Sequence, residues 1–119
     1  MTELKPFYLG IDTGKYGCFS VISETGELVS YVDMPLHAGQ EVDIWGVNKI
    51  IANFKNAKHI YMEHCLFMEG KKKQLSDGAG FEFGKNFMAV WMSLIANGTR
   101  FTGITPAEWK GKMSLAKRT

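Results

Sequence analysis

The sequence predicts a single α/β domain built on a mixed five-stranded sheet. Short turns separate three apolar segments within residues 5–34, and turns of that length join antiparallel strands. Residues 42–54 carry apolar side chains at roughly helical spacing, so a helix can return the fourth strand parallel to the first. A chain of 119 residues buries about two thirds of its unfolded surface, which is enough for one core.

The predicted elements follow the order β-β-β-α-β-α-β-α. We expect strands at residues 5–12, 17–23, 27–34, 58–67 and 100–104. We expect helices at residues 42–54 and 81–96, and a third helix opened by Thr105 and Pro106. Residues 35–40 and 68–80 are predicted loops. The expected apolar positions of the first helix are Val42, Trp45, Ile50 and Phe54.

The composition excludes several broad classes of protein. Hydrophobic residues make up 45% of the chain and charged residues 22%, which excludes a disordered segment. No apolar run approaches the roughly 20 residues of a membrane span, and no signal segment follows the N-terminus. The spacing of the two cysteines and three histidines predicts no zinc site, and Cys18 and Cys65 are expected to be buried thiols. We therefore expect a cytoplasmic protein without a membrane partner.

Asp12 is the first candidate for a functional carboxylate. It ends the first predicted strand within the sequence Gly10-Ile11-Asp12-Thr13-Gly14. Strand alternation places Tyr8, Gly10 and Asp12 on one face of the sheet. A carboxylate followed by a glycine turn can face a ligand without obstruction, although an Asp that only caps the turn is the alternative.

Glu63 is the second candidate, because a charge in the middle of an apolar strand is costly unless it is paired or bound to a metal. If the first and fourth strands are adjacent and parallel, Asp12 and Glu63 lie at the same edge of the sheet. A divalent cation then removes the repulsion between the two carboxylates. The pair predicts a Mg²⁺ or Mn²⁺ site, and an exposed Glu on an edge strand is the alternative.

The charge is distributed unevenly along the chain. Residues 1–70 contain five Lys and nine acidic residues, a net charge of −4, whereas residues 71–119 contain nine basic and three acidic residues, a net charge of +6. Lys71, Lys72 and Lys73 occupy a glycine-bearing loop, and Phe67 lies at its base. Lysines that contact phosphates and an aromatic ring that wedges against a base would bind DNA, with Lys110 and Lys112 as further contacts. A solvated charge run is the alternative.

The helix predicted at residues 81–96 has more apolar residues than one buried stripe requires. They are Phe81, Phe83, Phe87, Met88, Val90, Trp91, Leu94 and Ile95. One face can pack on the sheet while another meets a partner, so we expect a homodimer through this helix.

Together these features resemble the RuvC family of Holliday-junction resolvases, which has the RNase H-like fold and includes phage-encoded members. The matching features are the Gly-Ile-Asp-x-Gly strand end, Met62-Glu63-His64, the basic loop, the long helix, and Ile104-Thr105-Pro106 followed by Lys110. The resemblance implies helices on both faces of the sheet, catalytic carboxylates at Asp12 and Glu63, and bacterial or phage origin. It also implies binding of four-way junctions, a dimer contact through the long helix, and hydrolysis with two metal ions about 4 Å apart.

The chain departs from the family at two places. The family's loop aromatic falls at the position of Leu66, and Phe67 follows one residue later. The family completes its site with acidic residues on a final helix, and no acid follows Glu108. We therefore expect residues 1–119 to be one domain that lacks its final helix and cuts DNA poorly. The alternatives are a RuvC-like module that binds branched DNA without cutting it and a fragment of an actin-like ATPase.

Overall fold

The structure, a computed structural model, describes residues 5–39, 41–63 and 77–104. These residues form two helices and seven strands, two of them only two residues long. The strands are β1 (Phe7–Asp12), β2 (Cys18–Ser23), β3 (Leu28–Asp33), β4 (Leu36–His37), β5 (Glu41–Val42), β6 (His59–Glu63) and β7 (Phe101–Ile104). The helices are α1 (Ile44–Asn53) and α2 (Asp77–Ala96).

The main sheet has five strands in the order β3-β2-β1-β6-β7, which confirms the predicted mixed sheet. β1 pairs antiparallel with β2 and parallel with β6, and β6 pairs parallel with β7. Because α1 lies between β5 and β6, it supplies the crossover that parallel pairing of β1 and β6 requires. β1 is therefore the central strand, and its carboxyl end adjoins that of β6.

The hydrophobic core lies between one face of this sheet and both helices. Leu9 and Ile11 of β1 are fully buried, as the predicted alternation requires, and both helices pack on the same face as these side chains. The buried residues of this core include Phe19, Val21, Ile60 and Met62 from the sheet and Val47, Ile51, Phe87, Val90 and Leu94 from the helices. The predicted third helix lies outside the described residues, and neither helix within them is apolar enough to cross a membrane.

The predicted apolar stripe of α1 is wrong at Trp45, whereas Val42, Ile50 and Phe54 do contact the core. Val47 and Ile51 are fully buried, whereas Trp45 is 83% exposed and Val42 lies in β5, before the helix. Val47 and Ile51 are one turn apart and therefore share a face. Trp45 is two residues, or about 200°, from Val47 and points away from the sheet.

Two predicted loops contain regular structure. Residues 36–37 pair with residues 41–42 as a two-stranded ribbon, and Ala38 and Gly39 have positive φ in the turn between them. α2 begins at Asp77, so the last four residues of the predicted loop 68–80 are helical. Gly78 and Gly80 disfavour a helix, but the acidic residue at its first position favours a helix start.

Candidate metal centre

The register of the central strands brings Asp12 and Glu63 to the same position in the sheet. β1 and β6 run parallel, and Ile11 lies opposite Met62. One further residue along each strand places Asp12 opposite Glu63. Both follow a fully buried residue, so both lie on the face of the sheet opposite the helices. We call this face the open face.

The positions of the two carboxylates suit a hard divalent cation. Adjacent strands are about 4.8 Å apart, so one ion between them can reach both side chains. Asp12 is exposed and Glu63 is half-buried, which leaves the outer side of the pair accessible to solvent. Within the described ranges, no group of three or more His, Cys, Asp or Glu residues is close enough to hold a metal ion. Two carboxylates, with water or a substrate phosphate as the remaining ligands, are a donor set that Mg²⁺ accepts.

The neighbours of the carboxylate pair in the sheet differ on its two sides. Cys18 lies opposite Asp12 on β2 and is half-buried, so the expectation of a buried thiol is wrong for this residue. Its Sγ lies 3.6 Å from the Ser20 hydroxyl oxygen. On the other side, Ile104 ends β7 opposite Glu63 and is buried. Glu63 therefore borders an apolar side chain, and Asp12 borders a thiol.

Gly17 fixes the backbone next to Asp12, a role that the sequence pattern does not predict. A methyl group at position 17 would overlap the carbonyl oxygen of Asp12. The Gly17 amide donates to the Gly14 carbonyl at 3.2 Å, and the Gly17 carbonyl accepts from the Met34 amide at 3.0 Å. The turn after β1 therefore folds back on Asp12 so closely that only glycine is tolerated. The available signal was the second glycine of Gly14-Lys15-Tyr16-Gly17.

An aromatic cluster covers the open face on the amino-terminal side of the carboxylates. The ring of Tyr61 lies 4.9 Å from that of His59 and 6.4 Å from that of Tyr8. His59 Nε2 forms a 2.7 Å hydrogen bond with the Thr102 hydroxyl. These contacts hold the rings of His59 and Tyr61 beside β1, where they extend the surface that a ligand of the carboxylates would meet.

A surface ion pair borders this cluster. The Lys58 ammonium donates to a Glu24 carboxylate oxygen at 2.7 Å and lies 5.7 Å from the centre of the Tyr8 ring. The hydrogen bond to Glu24 and its charge raise the pKa of Lys58. Lys58 therefore remains charged throughout the physiological pH range.

The predicted DNA-binding residues lie outside the described part of the chain. They are Phe67, Lys71, Lys72, Lys73 and Lys110. His64, Cys65 and the residues after Ile104 lie outside it as well. Of the predicted site residues, the structure therefore describes only the two carboxylates, and it brings them together.

No protein-family model matches the chain, and no curated protein matches it by sequence. Solved structures do match. RuvC of Thermus thermophilus in complex with a Holliday junction substrate has a TM-score of 0.64 and 13% identity, over 89% of this chain and 68% of that one. A second Thermus thermophilus RuvC structure has a TM-score of 0.59 and 14% identity, over 87% and 66%. The chain thus spans about two thirds of each RuvC chain, and it has a RuvC-like, RNase H-like α/β fold.

Proposed function

We propose that this protein is a structure-selective endonuclease that resolves four-way DNA junctions by metal-dependent phosphodiester hydrolysis. The observation that carries the proposal is the position of Asp12 and Glu63, at the carboxyl ends of adjacent parallel strands in the middle of the sheet. The fold supports it, because one structurally similar RuvC is bound to a Holliday junction substrate. As a resolvase, the protein would act in the cytoplasm of a bacterium or of a phage-infected host.

Asp12 and Glu63 would hold Mg²⁺ or Mn²⁺ in this proposal. In two-metal hydrolysis one ion would activate water and the other would stabilise the leaving oxygen of the phosphodiester, and two carboxylates suffice to hold one of the two ions. Asp12 is exposed, so its carboxylate can approach a phosphate that lies across the open face. Glu63 is half-buried and lies opposite Ile104 in the sheet. Gly17 positions the backbone of Asp12 through the close contact described above.

DNA and a second copy of the chain are the proposed partners. Lys71, Lys72, Lys73 and Lys110 would contact phosphates of the junction, and Phe67 would wedge against a base. A homodimer through residues 81–96 would present two sites to opposed strands of a junction. The large apolar side chains exposed on α2 support this dimer, since nothing else in the described residues covers Met88, Met92 or Ile95.

The proposal is tested by junction cleavage in Mg²⁺ and in Mn²⁺. We expect cleavage by the unmodified chain to be slow but measurable, and Asp12→Asn to abolish it. Removing a metal ligand leaves the ion without the charge that holds it. Glu41→Gln is the matched control, because Glu41 is an exposed acid in the short ribbon, away from the open face. Cleavage that is equal for the Asp12→Asn variant and the unmodified chain would contradict the assignment of the site.

The second candidate is a module that binds branched DNA without cutting it. The observation in its favour is that the described residues bring together two potential ligands and no group of three or more. This candidate predicts tighter binding to a four-way junction than to duplex, with no Asp12-dependent cleavage in either metal. In both cases, replacing Lys71, Lys72 and Lys73 with Ala should lower the salt dependence of binding by about one unit for each lost phosphate contact. An unchanged salt slope would exclude these lysines from the DNA interface.

A further inference from the structure

The edge strand β3 exposes an unusual amount of apolar surface. Among the described residues it pairs with β2 only, and all six of its residues are exposed. Leu28 and Val29 are each 62% exposed, and Tyr31 is 59% exposed. Edge strands are commonly protected from further pairing by Lys or Pro, and β3 contains neither. The strand therefore presents large apolar side chains at an edge that pairs on one side only among the described residues.

An apolar pocket adjoins the first half of β3. The pairing of β2 and β3 shifts register between Val21 and Ile22, which makes Val29 an extra, bulged residue. Val29 then lines a pocket of about 350 Å³ together with Phe7, Val21 and Phe54. The pocket lies near the start of β1, at the end of the sheet opposite Asp12. It is large enough for one apolar side chain from a segment that runs along β3.

The charges at the two ends of β3 select among possible occupants. Glu27 precedes the strand and Asp33 ends it, and both are exposed. In the described part of the chain, neither forms an ion pair, whereas the neighbouring Glu24 is bound to Lys58. A strand of this length spans about 20 Å, so an occupant meets a negative charge at each end of its path.

These charges disfavour both a second copy of this strand and DNA. Two-fold antiparallel pairing along the whole of β3 would bring Asp33 of each copy beside Glu27 of the other. DNA phosphates would meet the same two carboxylates. An extended segment with basic residues at both ends complements these two carboxylates instead, and Lys5 at the pocket is the one cation on its path among the residues that line the pocket.

We propose that β3 and its pocket bind an extended segment of a partner protein. The segment adds a strand to β3, inserts one apolar side chain beside Val29, and carries Lys or Arg at both ends. Strand addition uses backbone hydrogen bonds for affinity and the pocket for specificity. The pocket lies at the end of the sheet opposite the carboxylate pair, whereas Asp33 lies in the same cross-strand row as Asp12, with Cys18 between them.

An array of synthetic peptides tests the proposal. Each peptide has Lys at both ends and alternates Thr with one of Val, Leu, Phe or Trp. A second array replaces the terminal Lys with Glu. We expect the chain to select members of the Lys array, and binding of the best member to perturb the backbone amide NMR signals of Ser30 to Asp33. Val29→Glu should weaken binding of that peptide at least tenfold. Asp33→Lys should weaken binding of that peptide several-fold. Glu41→Lys, which makes the same change of charge at an exposed site on the ribbon of β4 and β5, should not.

Several results would overturn the proposal. One is the absence of any binder in the Lys array, and another is equal selection from the Lys and Glu arrays. Perturbation of the β3 amides by a four-way junction instead of by peptide would assign the edge to nucleic acid. Concentration-dependent perturbation of the same amides without any ligand would assign it to self-association. If Val29→Glu impairs folding, Val29→Thr, which keeps the β-branched shape, should still weaken the peptide.

Discussion

At Asp12, a backbone contact with the following turn constrains the end of β1, which carries the carboxylate. The turn of residues 13–17 packs against the Asp12 carbonyl so closely that position 17 has no room for a methyl group. Gly17 is buried and bonded through both its amide and its carbonyl. A shift that relieves a clash at position 17 therefore moves either this turn or the end of β1.

We predict that Gly17→Ala destabilises the protein by roughly 1–3 kcal/mol or more, because it overpacks a closed site formed by backbone. The matched variant is Gly84→Ala in α2, where nothing lies within 4 Å of an added methyl group. That variant should stabilise the protein by about 0.5–1 kcal/mol through helix propensity. Urea unfolding followed by circular dichroism measures both, and equal stability of the two variants would contradict the contact.

We predict that Mn²⁺ binding, measured by electron paramagnetic resonance, depends on both carboxylates. Asp12→Asn and Glu63→Gln should each lower the affinity for Mn²⁺ about tenfold or more, because a loss of only 1.4 kcal/mol of binding free energy changes the affinity by that factor. Glu41→Gln is the control for a general loss of negative charge. Unchanged Mn²⁺ affinity in either site variant would remove that residue from the proposed metal centre.

The positions of the two carboxylates could be predicted from the sequence because strand alternation and strand order are enough to place them. Asp12 ends an apolar strand, and Glu63 interrupts another that a helix returns parallel to the first. Gly17 could not be found in this way, because its role depends on how far the following turn folds back. The exposure of Cys18 could not be predicted either, because it depends on which face of the sheet the helices cover.

At the scale of elements, a polar contact between α1 and α2 fixes how the helices meet. The Asn48 side-chain oxygen accepts from the Ser93 hydroxyl at 3.0 Å and from the Asn97 amide nitrogen at 2.8 Å. Ser93 is buried, so its hydroxyl has little access to water as a substitute partner. The contact joins the end of α2 to the middle of α1.

We predict that Asn48→Ala costs about 1–3 kcal/mol, because it leaves the buried Ser93 hydroxyl without its acceptor. Lys49→Ala, at the adjacent exposed position, should change stability by less than about 0.5 kcal/mol. The double variant Asn48→Ala, Ser93→Ala should recover part of the loss, since no unsatisfied hydroxyl remains. If the losses of stability in the two single variants simply add up in the double variant, the two side chains do not interact.

The wrong predictions at this scale arise where the sequence pattern is ambiguous or too short. Trp45 and Val47 are both apolar, and only tertiary packing decides which of them faces the sheet. In the ribbon of β4 and β5, each strand has two residues, too few to show any alternation. The five main strands are longer, and the sequence predicts all of them, although the last four residues of the predicted strand 58–67 lie outside the described part.

At the scale of the whole molecule, the two helices expose one shared apolar surface. Ile44 and Trp45 of α1 and Met88 and Met92 of α2 line a common groove on the side away from the sheet. Lys85 and Asn48 border it. A groove of this kind, lined from two elements with large exposed side chains, is typical of a surface that meets another protein. It also explains why α2 is more apolar than packing on the sheet requires.

We predict that the protein forms a homodimer through this groove and that Met92→Glu dissociates it. Met92 is 54% exposed, so the substitution should not affect the monomer fold. By two-fold symmetry, each dimer would bury the new charge twice. If burial of the two charges costs about 2.7 kcal/mol of association free energy, the dissociation constant rises roughly a hundredfold. Leu28→Glu, at a comparably exposed position on β3, is the matched control and should leave the dimer intact.

Sedimentation equilibrium over a range of protein concentrations decides the point, because the dimer prediction and the β3 proposal assign different surfaces to different partners. If Leu28→Glu dissociates the protein and Met92→Glu does not, the copies meet along β3 despite the acids at its ends. A monomer at every concentration would leave the apolar groove of α1 and α2 without a second copy as its partner. The proposed action of two sites on opposed strands of one junction would then have no basis in this surface.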